Sequence, residues 1–173
     1  YVAHVNYHKG VQAFENGRKD EAIIYVKTAA SNNKNTDLYF RQLAIYSLAA
    51  LQETASSAQD GISAEQKNKK LETLVSDSVN AINLAIKLDN QNVDNWSTKG
   101  YICQNLIGLS QDAPGCAIDA YDHAIVLYPT NPYLFLQQGN VYIAQFANAG
   151  QDQTQIADDV LARAESKLKK AIE

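Results

Sequence analysis

His4 and His8 stand one helical turn apart, a spacing that puts two imidazoles on one helix face as metal ligands require. No Glu or Cys nearby completes a ligand set and the remaining histidine, His123, is remote in sequence. The expectation is therefore a surface pair and no metal. Cys103 and Cys116 are the two cysteines. Their default reading is a pair of buried thiols. The alternative is a bridge closing a short loop, worth roughly 3 kcal/mol in the chain-entropy model, if the axial offset of two facing helices allows the ~4.4 to 6.8 Å Cα separation that a disulfide demands. A bridge would argue for an oxidising compartment. Beyond these, no Gly-rich phosphate loop is present, the serines lack a base and an orienting group, and the carboxylates are spread along polar helix faces. The chain reads as non-enzymatic, with no catalytic residue and no cofactor.

Composition narrows what can hold these residues. With 46% hydrophobic residues and three prolines the chain is too apolar for disorder, and its long proline-free stretches rich in helix formers predict an all-α structure. The net charge of −4 disfavours nucleic acid, which calls for a basic face; the lysine groups at Lys67, Lys69, Lys70 and at Lys167, Lys169, Lys170 read as solvated helix faces. No apolar run reaches the ~18 residues of a membrane span, so no direct membrane insertion is expected. No signal-peptide pattern is visible, and with Tyr1 inside an apparent helix and no methionine, the chain is expected to be a piece of a longer one. The compartment stays open between cytoplasmic and extracytoplasmic.

Organisation is clearest from Asn95 to Pro132. Trp96 and Gly100 stand four apart, and Ala117, Tyr121, Ala124 and Pro129 follow at spacings of four, three and five. Gly100 would let a second helix approach the first at the short end of the usual ~8 to 10 Å range. Ala117, Tyr121 and Ala124 share one stripe of that second helix, and Pro129 ends it. This run resembles a tetratricopeptide repeat, a helical hairpin that must stack on about three or more copies to bury its apolar faces.

The same notches recur along the chain. A first unit, about 2–34, has Gly10, Ala22 and Ala29 as small positions, with Gly17 ending one helix and Asp20 with Glu21 opening the next. The second, 37–90, has Ala44 one 34-residue period after Gly10. Its second helix is displaced: Ala44 to Ser78 is 34 residues where Gly10 to Ala22 is 12, an insertion of about 22. Ser63 and Gln66 have capping-box spacing, and the apolar period from Leu71 to Ile86 predicts a helix from about Ala64 to Leu88 overhanging the ordinary hairpin. The third unit, 93–129, has about 5 extra residues between Gly100 and Ala117, and the fourth, 132–173, about 13 between Gly139 and Ala164, with a turn expected at 147–155. The resemblance implies a single domain, 1–173, forming a right-handed superhelical solenoid of about four hairpins, elongated in the second and fourth.

What the resemblance implies about function is non-catalytic binding of protein or peptide in a concave groove. In the family that groove is lined by first-helix side chains around the packing glycine. Carried over, these are Tyr7, Val11 and Phe14; Arg41, Ile45 and Leu48; Ser97, Tyr101 and Gln104; and Leu136, Asn140 and Ile143, with Ile45 and Ile143 also readable as core. The lysine and asparagine by which some members grip a C-terminal carboxylate are replaced by Tyr7 and Val11, so that clamp is not expected, although Arg41 could pair an acidic ligand group. Leu168, Ala171 and Ile172 keep the apolar pattern to the end, which predicts self-association or additional repeats there. The elongated units also resemble soluble repeat domains attached to bacterial membrane proteins of the surface-polysaccharide polymerase or ligase type. The alternative function is therefore an extracytoplasmic accessory domain of a glycan-assembly protein.

Overall fold

The computed structural model describes residues 1–57, 61, 63–148 and 154–172, and the side chains of all of these but 154–159. Eight helices carry the described residues: α1 (Val2–Glu15), α2 (Lys19–Asn32), α3 (Asp37–Ser56), α4 (Ala64–Leu88), α5 (Val93–Asn105), α6 (Ala113–Leu127), α7 (Pro132–Asn148) and α8 (Thr154–Ile172). They fall into two compact halves, Tyr1–Asn90 and Gln91–Glu173. Each half is a pair of helical hairpins, α1/α2 on α3/α4 and α5/α6 on α7/α8. The all-α, stacked-hairpin architecture expected from the sequence is the one observed.

Local chemistry sets the helix ends. Gly17 takes the left-handed conformation at φ +76°, and its N–H and that of Arg18 reach back to the carbonyls of Phe14 and Ala13, both at 2.9 Å. This paired closure satisfies the last carbonyls of α1 and turns the chain into α2. The predicted capping box opens α4: the Ser63 hydroxyl accepts from the Gln66 N–H at 3.2 Å, and the Ser63 N–H donates to Gln66 Oε1 at 3.0 Å. Asn92 caps α5 by accepting from the Asp94 N–H at 3.0 Å. Tyr128, ahead of Pro129, leaves the helical region, and Pro132 begins α7, where a missing N–H costs nothing. Of the turn expected at 147–155, Ala147 and Asn148 lie within α7, Thr154 and Gln155 within α8, and the rest falls outside the described residues.

The notches sit where the helices touch. A Cβ added at Gly10 would lie 2.6 Å from Val26 Cγ2, one at Gly100 2.7 Å from the Tyr121 ring, and one at Gly139 3.0 Å from Leu168. Opposite them, Ala22, Ala29, Ser78, Ala85, Ala117 and Ala124 have 0% of their surface exposed, as does Ala44 in the glycine's place on α3. In the second half the core joins Cys103, Tyr121, Leu134 and Val141, with Trp96 packed against it. A polar tie crosses it: the Gln138 amide on α7 donates to Asp122 Oδ1 on α6 at 2.7 Å.

The thiol default is corrected by the structure. Cys103 at the end of α5 and Cys116 at the start of α6 are joined as a disulfide, with Cα atoms 5.8 Å apart. The turn around Gly108, at φ +91°, brings the two helix ends level and removes the axial offset.

The notch packing can be tested by contrast. Tyr121 is 1% exposed and its hydroxyl donates to Gln104 Oε1 at 3.1 Å, so its ring has nowhere to swing. Gly100→Ala should therefore lose about 1–3 kcal/mol to overpacking, offset by at most about 1 kcal/mol of helix propensity. Gly115→Ala, where an added Cβ meets nothing within 4 Å, should be neutral or gain up to about 1 kcal/mol; urea unfolding of the two variants checks the difference.

The buried phenols make stability depend on pH. Burial pushes the Tyr46 phenol from 10.0 up to about 12, with the neighbouring Tyr7 and Glu15 adding to it and a hydrogen bond with Gln42 opposing. Burial raises Tyr121 as well, Tyr133 and Tyr101 contributing. Each folded-state value lies above the unfolded one, so the stability they support is complete below pH ~10 and falls as pH rises toward ~12, by about 1.4 kcal/mol per pH unit for each group. Alkaline unfolding followed by circular dichroism should show this decline, and Tyr46→Phe should flatten part of it.

Candidate functional site

In the first half, the predicted groove residues lie on α1 and α3, and the two aromatic ones meet rings of α3 that were not predicted for the groove. The Tyr7 ring meets Tyr39 at 5.4 Å between centroids, and Phe14 stacks on Tyr46 at 4.1 Å with an interplanar angle of 11°. Tyr39 and Tyr46 are themselves buried, so these pairs tie α1 to α3. With its pKa near 12, the Tyr46 phenol stays neutral at ordinary pH. Val11 and Ile45 are half-buried. Leu48 is 1% exposed and belongs to the core: the longer α3 carries its inward stripe through this position. Arg41 reaches Asp37 at 3.3 Å, so its charge is already engaged within the chain. This face is chiefly an internal aromatic seam.

The second half differs. On α5 and α7, Tyr101, Leu136 and Ile143 are 41%, 39% and 43% exposed, large apolar side chains left partly open to solvent. Ile143 is thereby an outward residue and not core. Asn140 lies half-buried between Leu136 and Ile143 on the same stripe, a polar group amid apolar anchors. Ser97 donates to the Asp94 carbonyl at 3.3 Å, and Gln104 holds the Tyr121 hydroxyl. Both serve the scaffold, Gln104 by fixing the ring that fills the Gly100 notch. Tyr133 and Phe146, also exposed on α7, extend the apolar surface one turn each way. The helical period of the Leu136 and Ile143 stripe could have found them; carrying over family positions alone did not.

The residues first singled out for chemistry do other work. His4 and His8 share one hydrogen bond between their Nε2 atoms at 2.9 Å, the rings edge to face. Among the described residues, no group of three His, Cys, Asp or Glu is arranged to hold a metal. His123 stacks on Trp96 at 4.2 Å, and its Nδ1–H donates to the Asp119 carbonyl at 2.8 Å. The exposed surface offers apolar side chains beside the amide of Asn140. Among the described residues, no helix is long and apolar enough to cross a membrane.

Comparison with known proteins agrees with this geometry at the level of fold. No family model matches the sequence, and no curated protein is similar to it. Among solved structures, the chain is similar to TTC0263, a thermophilic TPR protein of Thermus thermophilus, at TM-score 0.64 and 18% identity, covering 98% of this chain and 73% of that one. Weaker likenesses are to MamA (TM-score 0.41, 15% identity, 98% of this chain and 91% of that one) and to PilF of Pseudomonas aeruginosa (0.35, 11%, 98% and 91%). Nothing in these likenesses supports the resemblance to surface-polysaccharide polymerases or ligases. The fold is that of a tetratricopeptide-type helical repeat.

Proposed function

We propose that the chain is a non-catalytic scaffold that binds a protein or peptide partner, and that the α5/α7 face of the second half carries the contact. The observation behind this is the exposed set of Tyr101, Leu136 and Ile143 around the half-buried Asn140. Large apolar side chains left open on a rigid helix pair are what a partner's anchors need, whereas the first-half face spends its aromatics on α1–α3 packing. The net charge of −4 favours polypeptide over nucleic acid as the partner. Leu161 and Ile172 on α8 are also exposed, which suits a second copy of the chain or a further repeat against that helix.

Changing Tyr101, Leu136 and Ile143 together to serine removes the apolar anchors from positions that already face solvent, so the thermal melt should stay near that of the parent chain. Capture of partners from an extract of the source cells should fall at least tenfold. Undiminished capture by a folded triple variant would clear this face of the role.

An extracytoplasmic setting, the second reading, is favoured by the Cys103–Cys116 disulfide, since such bonds persist in oxidising compartments. Protein isolated from its native setting should resist alkylation until reduced, and reduction should cost about 2–3 kcal/mol of stability. Two thiols alkylating without reductant would remove this reading.

A further inference from the structure

On the second-helix side of the first half, α2 and α4 run parallel and are cross-linked by a ladder of charges. Asp20 pairs with Lys70 at 2.8 Å and Lys27 with Asp77 at 2.7 Å, and each pair is 50 residues apart in sequence. The rungs are seven residues apart along each helix, two turns or about 10 Å. One further step of seven along the sequence reaches Lys34, just past the end of α2, and Leu84 on α4; both line one cavity, so a third rung there has a cation and lacks its anion. Among the described residues, neither Lys34 nor the nearby Lys87 has a carboxylate partner.

The same register explains the space around that rung. Asn32, the last residue of α2, falls opposite Ile82, so α4 continues six residues beyond the end of its neighbour. Leu84 and Leu88 on that overhang are 45% and 40% exposed. Together with Phe40 and Leu43 of α3 they line a cavity of about 620 Å³ whose edge carries Lys34 and Lys87. Compensation of the α4 helix dipole accounts for Lys87 in its last turn. It accounts neither for Lys34, which lies beyond α2, nor for the open leucines.

We propose that this cavity is a second docking site, and that it takes a partner's peptide segment in which an apolar anchor side chain is flanked by acidic residues. The anchor enters the apolar floor, and the flanking carboxylates supply the anion missing from the third rung, one to each lysine. Two cations at the edge of one apolar trough match an acidic pair on a polypeptide better than the single head of an acyl carboxylate. The site is separate from the α5/α7 face and does not depend on it.

The test is fluorescence anisotropy of a fluorescein-labelled peptide, EELFEEL, titrated with the whole chain. Three variants are compared with the parent: K34E/K87E, Leu84→Ser and the α5/α7 triple serine variant. Saturable binding is expected, weakened at least tenfold in K34E/K87E and in Leu84→Ser and unchanged in the triple variant. Since the lysines are exposed, their reversal should keep the folded circular dichroism spectrum, with at most a small drop in the melt from the lost dipole compensation at Lys87, and K34E/K87E should gain affinity for the reversed peptide KKLFKKL. No binding by up to millimolar protein, or equal binding by K34E/K87E, would overturn the proposal. So would dodecanoate binding in the absence of peptide binding, which would assign the cavity to acyl anions. Self-association of the parent that K34E/K87E abolishes, without peptide binding, would overturn it in favour of a second copy of the chain.

Discussion

Close approach of two helices at a residue with little or no side chain is the constraint on which this structure depends. Gly10, Gly100 and Gly139, with Ala44 in the same role, are the places where the second helix of a hairpin rests on the first. At Gly100 the space is filled by an aromatic ring. That contact reaches further than one hairpin, because Tyr121 also sits in the core with Leu134 and Val141 of α7. Its hydroxyl, which could not be buried unbonded without cost, is satisfied by Gln104 from α5. One ring thus fixes the hairpin angle, contributes to the stack on the next hairpin and consumes a polar group that would otherwise face a partner.

The two halves use one architecture to different ends. In the first, the α1/α3 seam is closed by two ring pairs and an Arg41–Asp37 pair, and its residual openness lies on the α2/α4 side. In the second, the Cys103–Cys116 bond and the Gln138–Asp122 contact hold the hairpins from within, and the first-helix side is left with uncovered apolar groups.

The fold was legible because its determinants are local. Notch spacing, a capping box at Ser63 and Gln66, a left-handed glycine at Gly17 and a proline after Tyr128 each act within a few residues, and α4 from Ala64 to Leu88 could be bounded from its capping box and its apolar period. The disulfide was half legible: the pair could be named as a possible bridge, but whether Cys103 and Cys116 meet depends on how the turn between α5 and α6 sets two helix ends, and no spacing rule encodes that. The groove was half legible. Family positions identify which residues lie on first helices, but whether each is open depends on side chains from another hairpin. Tyr39 and Tyr46 cover Tyr7 and Phe14, the extended α3 draws Leu48 inward, and nothing comparable covers Leu136 or Ile143.

The charge ladder shows why the least legible feature arises from the most visible irregularity. On the first helices, equivalent positions Gly10 and Ala44 are 34 residues apart, while the rings that meet are 32 apart, Tyr7 with Tyr39 and Phe14 with Tyr46. That is a slip of two residues, about 3 Å. On the second helices, equivalent positions Ala22 and Ser78, or Ala29 and Ala85, are 56 apart, while the bonded pairs are 50 apart. The slip there is six residues, about 9 Å, three times as large. A repeat period therefore says which residues are equivalent and not which residues face each other, because stacked hairpins are offset as well as copied. The six-residue slip is the length by which α4 outruns α2, and it leaves two leucines of the overhang lining one cavity with a lysine that no carboxylate among the described residues meets.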